Sequence, residues 1–189
     1  MRNFLLVLLI PLIAACASKP DNSYTITGNI NKNLSLDGCY VYITPSAVDL
    51  KETVIDSCLV KDGAFSLNGK ALKNSELVLL VITDSIRKID RNTIGTIFAF
   101  ESGNIFFNVI DSLNIDVTGS TSNDMIQNCR VALVEYDSVC ASLVNSNLPA
   151  AESYTKMKQA AKKRNEVVKK NILINPNSVV ASFIFTEQH

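Results

Sequence analysis

The stretch 53–69, Thr-Val-Ile-Asp-Ser-Cys-Leu-Val-Lys-Asp-Gly-Ala-Phe-Ser-Leu-Asn-Gly, constrains the fold more than any other. Asp62-Gly63 stands between two runs in which apolar and polar residues alternate. Asp-Gly at such a place signals a two-stranded hairpin, because both turn residues must take φ > 0. The turn sets a register in which Lys61 faces Ala64, Val60 faces Phe65 and Cys58 faces Leu67. Side chains alternate faces along a strand, so Cys58, Val60, Phe65 and Leu67 share a core side. Ser57, Leu59, Ser66 and Asn68 share the wet side, as in an antiparallel sheet with one solvated face.

Strand signals extend on both sides of this hairpin. Tyr24, Ile26, Gly28 and Ile30 alternate with polar residues, and a turn region follows at Leu34 to Gly38. Cys39 to Ile43 is a second run, stopped by Pro45. Leu77 to Ile82 is almost wholly apolar and reads as a central strand, and Ser85 to Asn92 as a charged loop. Ile97 to Phe100 and Ile105 to Phe107 flank a turn at Ser102-Gly103, and Leu113, Ile115 and Val117 alternate before Gly119. About eight short strands at this spacing predict an antiparallel β-sandwich or a partly open barrel.

After Gly119 the period changes. Met125, Cys129, Ala132, Tyr136, Val139 and Leu143 recur at spacings of four and three, the stripe of an amphipathic helix. Asn123 or Ser122 is expected to cap it, with Asp124 at the positive end of its dipole. Asn145 to Asn147 ends it. Pro149 suits the first position of a second helix that runs to about Ile172, with Tyr154, Met157, Ala161, Val168 and Ile172 on its packing side. The short connection makes the two helices antiparallel neighbours. Ser178 is expected to cap a short third helix through Val179, Val180, Phe183 and Ile184. Such a helix is marginal alone, so these four residues are expected to offer a surface to a protein partner. The fold class is thus α+β: a β-sandwich over 24–120, then a helical appendage over 121–189.

The first residues read as targeting rather than fold. Arg2 gives a positive start, Phe4 to Ile13 an apolar run, and Ala14-Ala15 a small pair before Cys16. The apolar run is too short to span a bilayer as a helix. Ile13-Ala-Ala-Cys16 resembles a bacterial lipobox, so residues 1–15 are expected to be a lipoprotein signal peptide. Cys16 would be the acylated attachment to a membrane, and 16–23 a tether. Ala17 at the next position resembles outer-membrane sorting, which places the protein in the cell envelope, facing the periplasm.

Several chemistries find no support in the residues. The one histidine is His189, which argues against a Ser/His/Asp triad and a His-ligated metal. No Gly-rich phosphate loop follows a strand. Asp84-Ser85, Asp111-Ser112 and Asp137-Ser138 are ordinary turn and cap chemistry. Lys+Arg and Asp+Glu both number 18, so only the segment 151–170 is basic, a weak basis for nucleic-acid binding. That basic face reads as solvated, or alternatively as a contact for anionic headgroups. No nucleic acid, cofactor or metal is expected. Cysteines stand at 16, 39, 58, 129 and 140, none spaced Cys-x-x-Cys. If Thr44 pairs with Thr53, Cys39 lies opposite Cys58, close enough for a disulfide in an oxidising envelope. Two buried thiols are the preferred reading, and a slip of one residue abolishes the pairing. Cys129 and Cys140 lie roughly 16 Å apart along one helix and cannot bond to each other.

Ile55-Asp-Ser57, Val60-x-Asp-Gly-x-Phe65 and Gly69 resemble the N-terminal domain of unknown function 4369. Tyr24-Thr-Ile-Thr-Gly28, Gly119-Ser120 with Asn123, and Asn175-Pro-x-Ser178 extend the resemblance over roughly 24 to 185. In that family the domain commonly precedes a thioredoxin-like domain in lipid-anchored thiol-disulfide oxidoreductases of Gram-negative bacteria. The resemblance implies the targeting and interaction portion of such an enzyme. The sequence lacks the Cys-x-x-Cys of the catalytic part, so a non-enzymatic envelope lipoprotein is expected. The alternatives are a subunit that holds a separate thioredoxin-like protein in trans, and a glycan-binding module. The absence of Trp argues against the last.

Overall fold

The computed structural model describes residues 22–45, 54–71, 75–84 and 93–187. The expected signal peptide, Cys16, the loop 85–92 and His189 lie outside the described residues. Among the described residues eight strands precede three α-helices, as the periodicity predicts. They are β1 (Ser23–Ile30), β2 (Tyr40–Thr44), β3 (Asp56–Leu59), β4 (Ala64–Lys70), β5 (Glu76–Thr83), β6 (Ile94–Phe100), β7 (Gly103–Val109) and β8 (Ile115–Thr118). The helices are α1 (Thr121–Val144), α2 (Ala150–Ile172) and α3 (Val179–Glu187). Two four-stranded sheets form, in the orders β4-β1-β7-β8 and β3-β2-β5-β6, and neither closes on itself. All pairings are antiparallel except β1 with β7.

The Asp62-Gly63 turn forms as expected, with φ of 54° and 72°. Lys61 and Ala64 exchange both backbone hydrogen bonds across it. The hairpin ends there, which corrects the expected register. Val60 donates to the Cys39 carbonyl and accepts from Gly38, so it cannot pair with Phe65. β3 leaves for one sheet and β4 for the other, where Ala64 lies opposite Asn29 and Phe65 opposite Gly28. The stretch is therefore a corner between facing sheets. The expected faces survive because both sheets turn the same residues inward: Val60, Phe65 and Leu67 are buried in one core. Ser102-Gly103 likewise joins strands of different sheets, β6 and β7.

The β2–β3 ladder runs two residues away from the register that would have joined the cysteines. Val41 faces Cys58, and Tyr40 faces Leu59. Cys39 instead bonds through its backbone to Val60, and both cysteines are free thiols. Leu113 also departs from expectation. It is 90% exposed, outside β8, because the Asp111 carboxylate accepts from the backbone N–H groups of Leu113 and Asn114 and makes a turn there.

The resembling motif residues fit one another across β1 and β4. Phe65 lies over Gly28, where an added Cβ would stand 2.0 Å from the ring. Tyr24 lies over Gly69 in the same way, with an added Cβ 2.9 Å from the ring. Aromatic rings thus fill the space that glycines leave in a strand pair. The Tyr24 hydroxyl then donates to the Asp56 carboxylate on β3, a tie from one sheet to the other. Burial first, and the Asp56 hydrogen bond second, hold the Tyr24 phenol well above its ordinary pKa.

Beyond the sandwich, a second and smaller core forms on the outer side of β5 and β6. Ala99 and Leu77 meet Met125, Ile126 and Cys129 of α1, Val168 of α2, and Val180 and Ile184 of α3. This core takes up two of the four residues expected to offer a partner surface at the C-terminal helix. Val180 and Ile184 are buried within the chain, Phe183 is half-buried, and Val179 remains exposed. Ser178 does cap α3, accepting from the Ala181 N–H at 3.0 Å. Further out, the helical hairpin thins. Tyr136, Val139 and Leu143 are only half-buried, and Tyr154 and Met157 are exposed, because nothing but the facing helix covers them among the described residues.

Candidate functional site

A sandwich of two open sheets has four edge strands, whose backbone groups must be covered or paired. β3 and β4 are edges joined by the Asp62-Gly63 corner. β6 and β8 are the other two, and α1 lies across them. The helix begins at Ser120, whose hydroxyl accepts from the Asn123 N–H. The expected caps, Ser122 and Asn123, have other work. Ser122 donates to Glu101. Asn123 is fully buried, and its amide serves as one more strand residue: it accepts from the Ala99 N–H and donates to the Ala99 carbonyl, both at 2.9 Å.

One turn on, Gln127 reaches the opposite sheet. It accepts from the Val117 N–H at 3.3 Å and donates to the Asp116 carboxylate at 2.6 Å. Arg130 returns to β6 and donates to the Ile97 carbonyl at 2.9 Å. Asn123, Gln127 and Arg130 are spaced by four and three, so they share one helix face and alternate between the two edges. The apolar stripe masked this face in the sequence. The polar series Asn-x-x-x-Gln-x-x-Arg was the signal, running at the same period as Met125, Cys129 and Ala132.

The two edges and α1, from Ile126 to Glu135, line a cleft of about 730 Å³. Its lining includes Gly95 and Ile97 of β6, Ile115 of β8 and Phe183 of α3. The two-residue alternation of the ladder turns the peptide groups of Gly95 to the same side as those of Ile97 and Ala99. The rim is apolar and open: Ile110, Leu113, Val131 and Val134 are all exposed. Strand backbone and exposed aliphatic side chains therefore coincide in one concavity.

The cysteines gather at no common site. Cys39 and Cys58 lie on the β2–β3 side, Cys129 and Cys140 on α1. Burial pushes the Cys39 thiol up, with the charges of Asp84 and Asp37 adding to it. Burial also raises Cys58, opposed by an N–H from Ser66. Cys129 is pushed up to about 11 by burial alone. Cys140 hydrogen-bonds the Tyr136 phenol and raises it. Among the described residues no cluster of metal-ligating side chains occurs, and no helix is long and apolar enough to cross a membrane.

The basic face of α2 is partly neutralised. Lys163 pairs with Glu135 of α1 at 2.6 Å, Lys156 with Glu152 at 3.1 Å, and Lys162 with Glu166 at 3.9 Å. Arg164 stacks on Tyr136, 4.8 Å from the ring centre. The Lys163–Glu135 pair and the Arg164–Tyr136 stack join α2 to α1, while the other two pairs lie within α2.

No curated protein and no solved structure shows significant similarity to the chain. A family profile described as a domain of unknown function (DUF4369) matches residues 24–126. The match takes in the Tyr24–Asp56 tie, both aromatic-over-glycine pairs and the Asn123 clamp. It ends within the first turns of α1, before the Asn175–Ser178 motif. Since it covers more than half of the sequence, this chain belongs to the DUF4369 family.

Proposed function

We propose that this protein is a non-enzymatic binding module of the cell envelope, attached to the outer membrane through acylated Cys16, and that the β6–β8 cleft holds a protein partner. The observation that carries the reading is the coincidence of edge-strand backbone at Gly95, next to the Ile97 carbonyl that Arg130 covers, with the exposed aliphatic rim. An extended segment can add to such an edge, its backbone pairing with the strand and its side chains entering the cleft. The resemblance to the N-terminal part of envelope thiol-disulfide oxidoreductases suggests a thioredoxin-like partner, whether in the same polypeptide or in trans.

The thiols support a role outside the redox chemistry itself. Fast exchange needs an accessible thiolate of lowered pKa, and burial raises Cys39, Cys58 and Cys129 instead. Photocrosslinking in intact cells tests the binding half: a benzoylphenylalanine at Leu113 should give a discrete adduct, and one at Val144 should not. Absence of an adduct at Leu113 would contradict the cleft. Insulin reduction tests the other half, since turnover above a cysteine-free variant would make the protein a catalyst. Cys16→Ser should leave the membrane fraction or stay uncleaved; unchanged partitioning would remove the anchor.

A further inference from the structure

A second surface follows from where the chain enters the fold. Tyr24 of β1 lies opposite Gly103, where β7 begins, and Phe106 of β7 lies opposite Thr118, where β8 ends. α1 starts immediately after, so the first residues of β1 and of α1 share one pole of the molecule. α2 runs back toward that pole, with Asn128 of α1 donating to Asn171 of α2 at 3.2 Å. The turn that follows α2 therefore stands at the same pole as Ser23.

This turn is unusual in composition and exposure. Leu173 is 63% exposed and Ile174 54%. Lys169 and Lys170, in the last turn of α2, are also exposed, and no ion pair to a carboxylate engages them among the described residues. Lys156, Lys162 and Lys163, further from the pole, do have carboxylate partners. Of the carboxylates nearby, Glu101 accepts from Ser122 and Asp124 from the Gly119 N–H; Glu76 stands at the start of β5. Two aliphatic side chains beside two unpaired ammonium groups match the boundary of a negatively charged bilayer. There aliphatic groups enter the acyl region while cations remain among headgroup phosphates.

We propose that this pole, through Lys169, Lys170, Leu173 and Ile174, seats on anionic lipid headgroups. The proposal rests on the membrane attachment inferred above and adds an orientation to it. A seven-residue connection from Cys16 to Ser23 reaches at most about 25 Å, so an acyl anchor holds this pole, and not the tip of the helical hairpin, near the bilayer. None of these four residues lines the β6–β8 cleft, which would stay open to a partner.

The test is lysine acetylation of the full chain, read by mass spectrometry, on vesicles of phosphatidylcholine alone and of phosphatidylcholine with phosphatidylglycerol. Lys169 and Lys170 are expected to react about fivefold more slowly on the anionic vesicles. Lys158, about 16 Å back along the helix, should react equally on both. The pair Leu173→Ser and Ile174→Ser should restore much of the lost reactivity. Sedimentation with both vesicle types but equal acetylation overturns the proposal and leaves the anchor standing. Sedimentation with anionic vesicles alone, with Lys169 and Lys170 protected, overturns the anchor and keeps the proposal. Sedimentation with neither overturns both, and protection that includes Lys158 overturns the proposed pole in favour of the whole helix face.

Discussion

The two open sides of the sandwich are closed by different means. Between β3 and β4 the chain itself turns the corner at Asp62-Gly63, and the Asp37 carboxylate accepts the Gly63 N–H. Between β6 and β8 no connection runs, and side chains of a helix take the place of a strand. A local turn costs little ordering, whereas the helix clamp brings together residues up to 33 positions apart and needs both sheets in place. The clamp is also the side on which a cleft is left. The lesson is that an opening is left where closure is by side chains, which can cover part of an edge and leave the rest.

The largest effect should come from breaking the clamp at its buried end. Asn123→Ala leaves the N–H and the carbonyl of Ala99 without partners inside the protein, which should cost about 3 kcal/mol in urea unfolding. Loss of under about 1 kcal/mol would mean that β6 does not depend on α1. Gly63→Ala tests the covalent corner. The new side chain would sit at φ of 72° and 3.3 Å from the Ile30 carbonyl, and should cost about 1–2 kcal/mol. Gln127→Ala removes the part-exposed half of the clamp and should cost about 1 kcal/mol. Its sum with Asn123→Ala should fall short of additivity, because both act on one closure. Arg164→Ala, at the outer hairpin, loses a half-buried stack on Tyr136 and should cost about 0.5 kcal/mol without moving the β-sheet signal in circular dichroism.

The sequence carried the fold further than the site. Alternation found eight strands, and the switch of period found the helices, because both are local patterns. It could not tell a hairpin from a corner: Val60, Phe65 and Leu67 point into one core whether their strands pair or face each other across it. Leu113 read as a strand residue because it continues the alternation, yet Asp111 draws the backbone there into a turn. Asn123 read as a cap because Asn is good at capping, and its real partner, Ala99, is buried on a strand 24 residues earlier. The cleft was invisible for the same reason: its walls come from β6, β8, α1 and α3, and none of them carries a chemical motif.

Native-state hydrogen exchange tests the edge clamp most directly. If α1 is a working part of the sandwich, amides from Ile126 to Ala132 should exchange through the same opening as those of β6 and β8, with the same free energy and denaturant dependence. Amides beyond Tyr136 in α1, and those before Arg164 in α2, should exchange through a smaller, local opening. In Asn123→Ala, β6 and the first half of α1 should lose protection together. Exchange of all of α1 with α2 as one unit, with β6 and β8 unchanged by Asn123→Ala, would contradict the account.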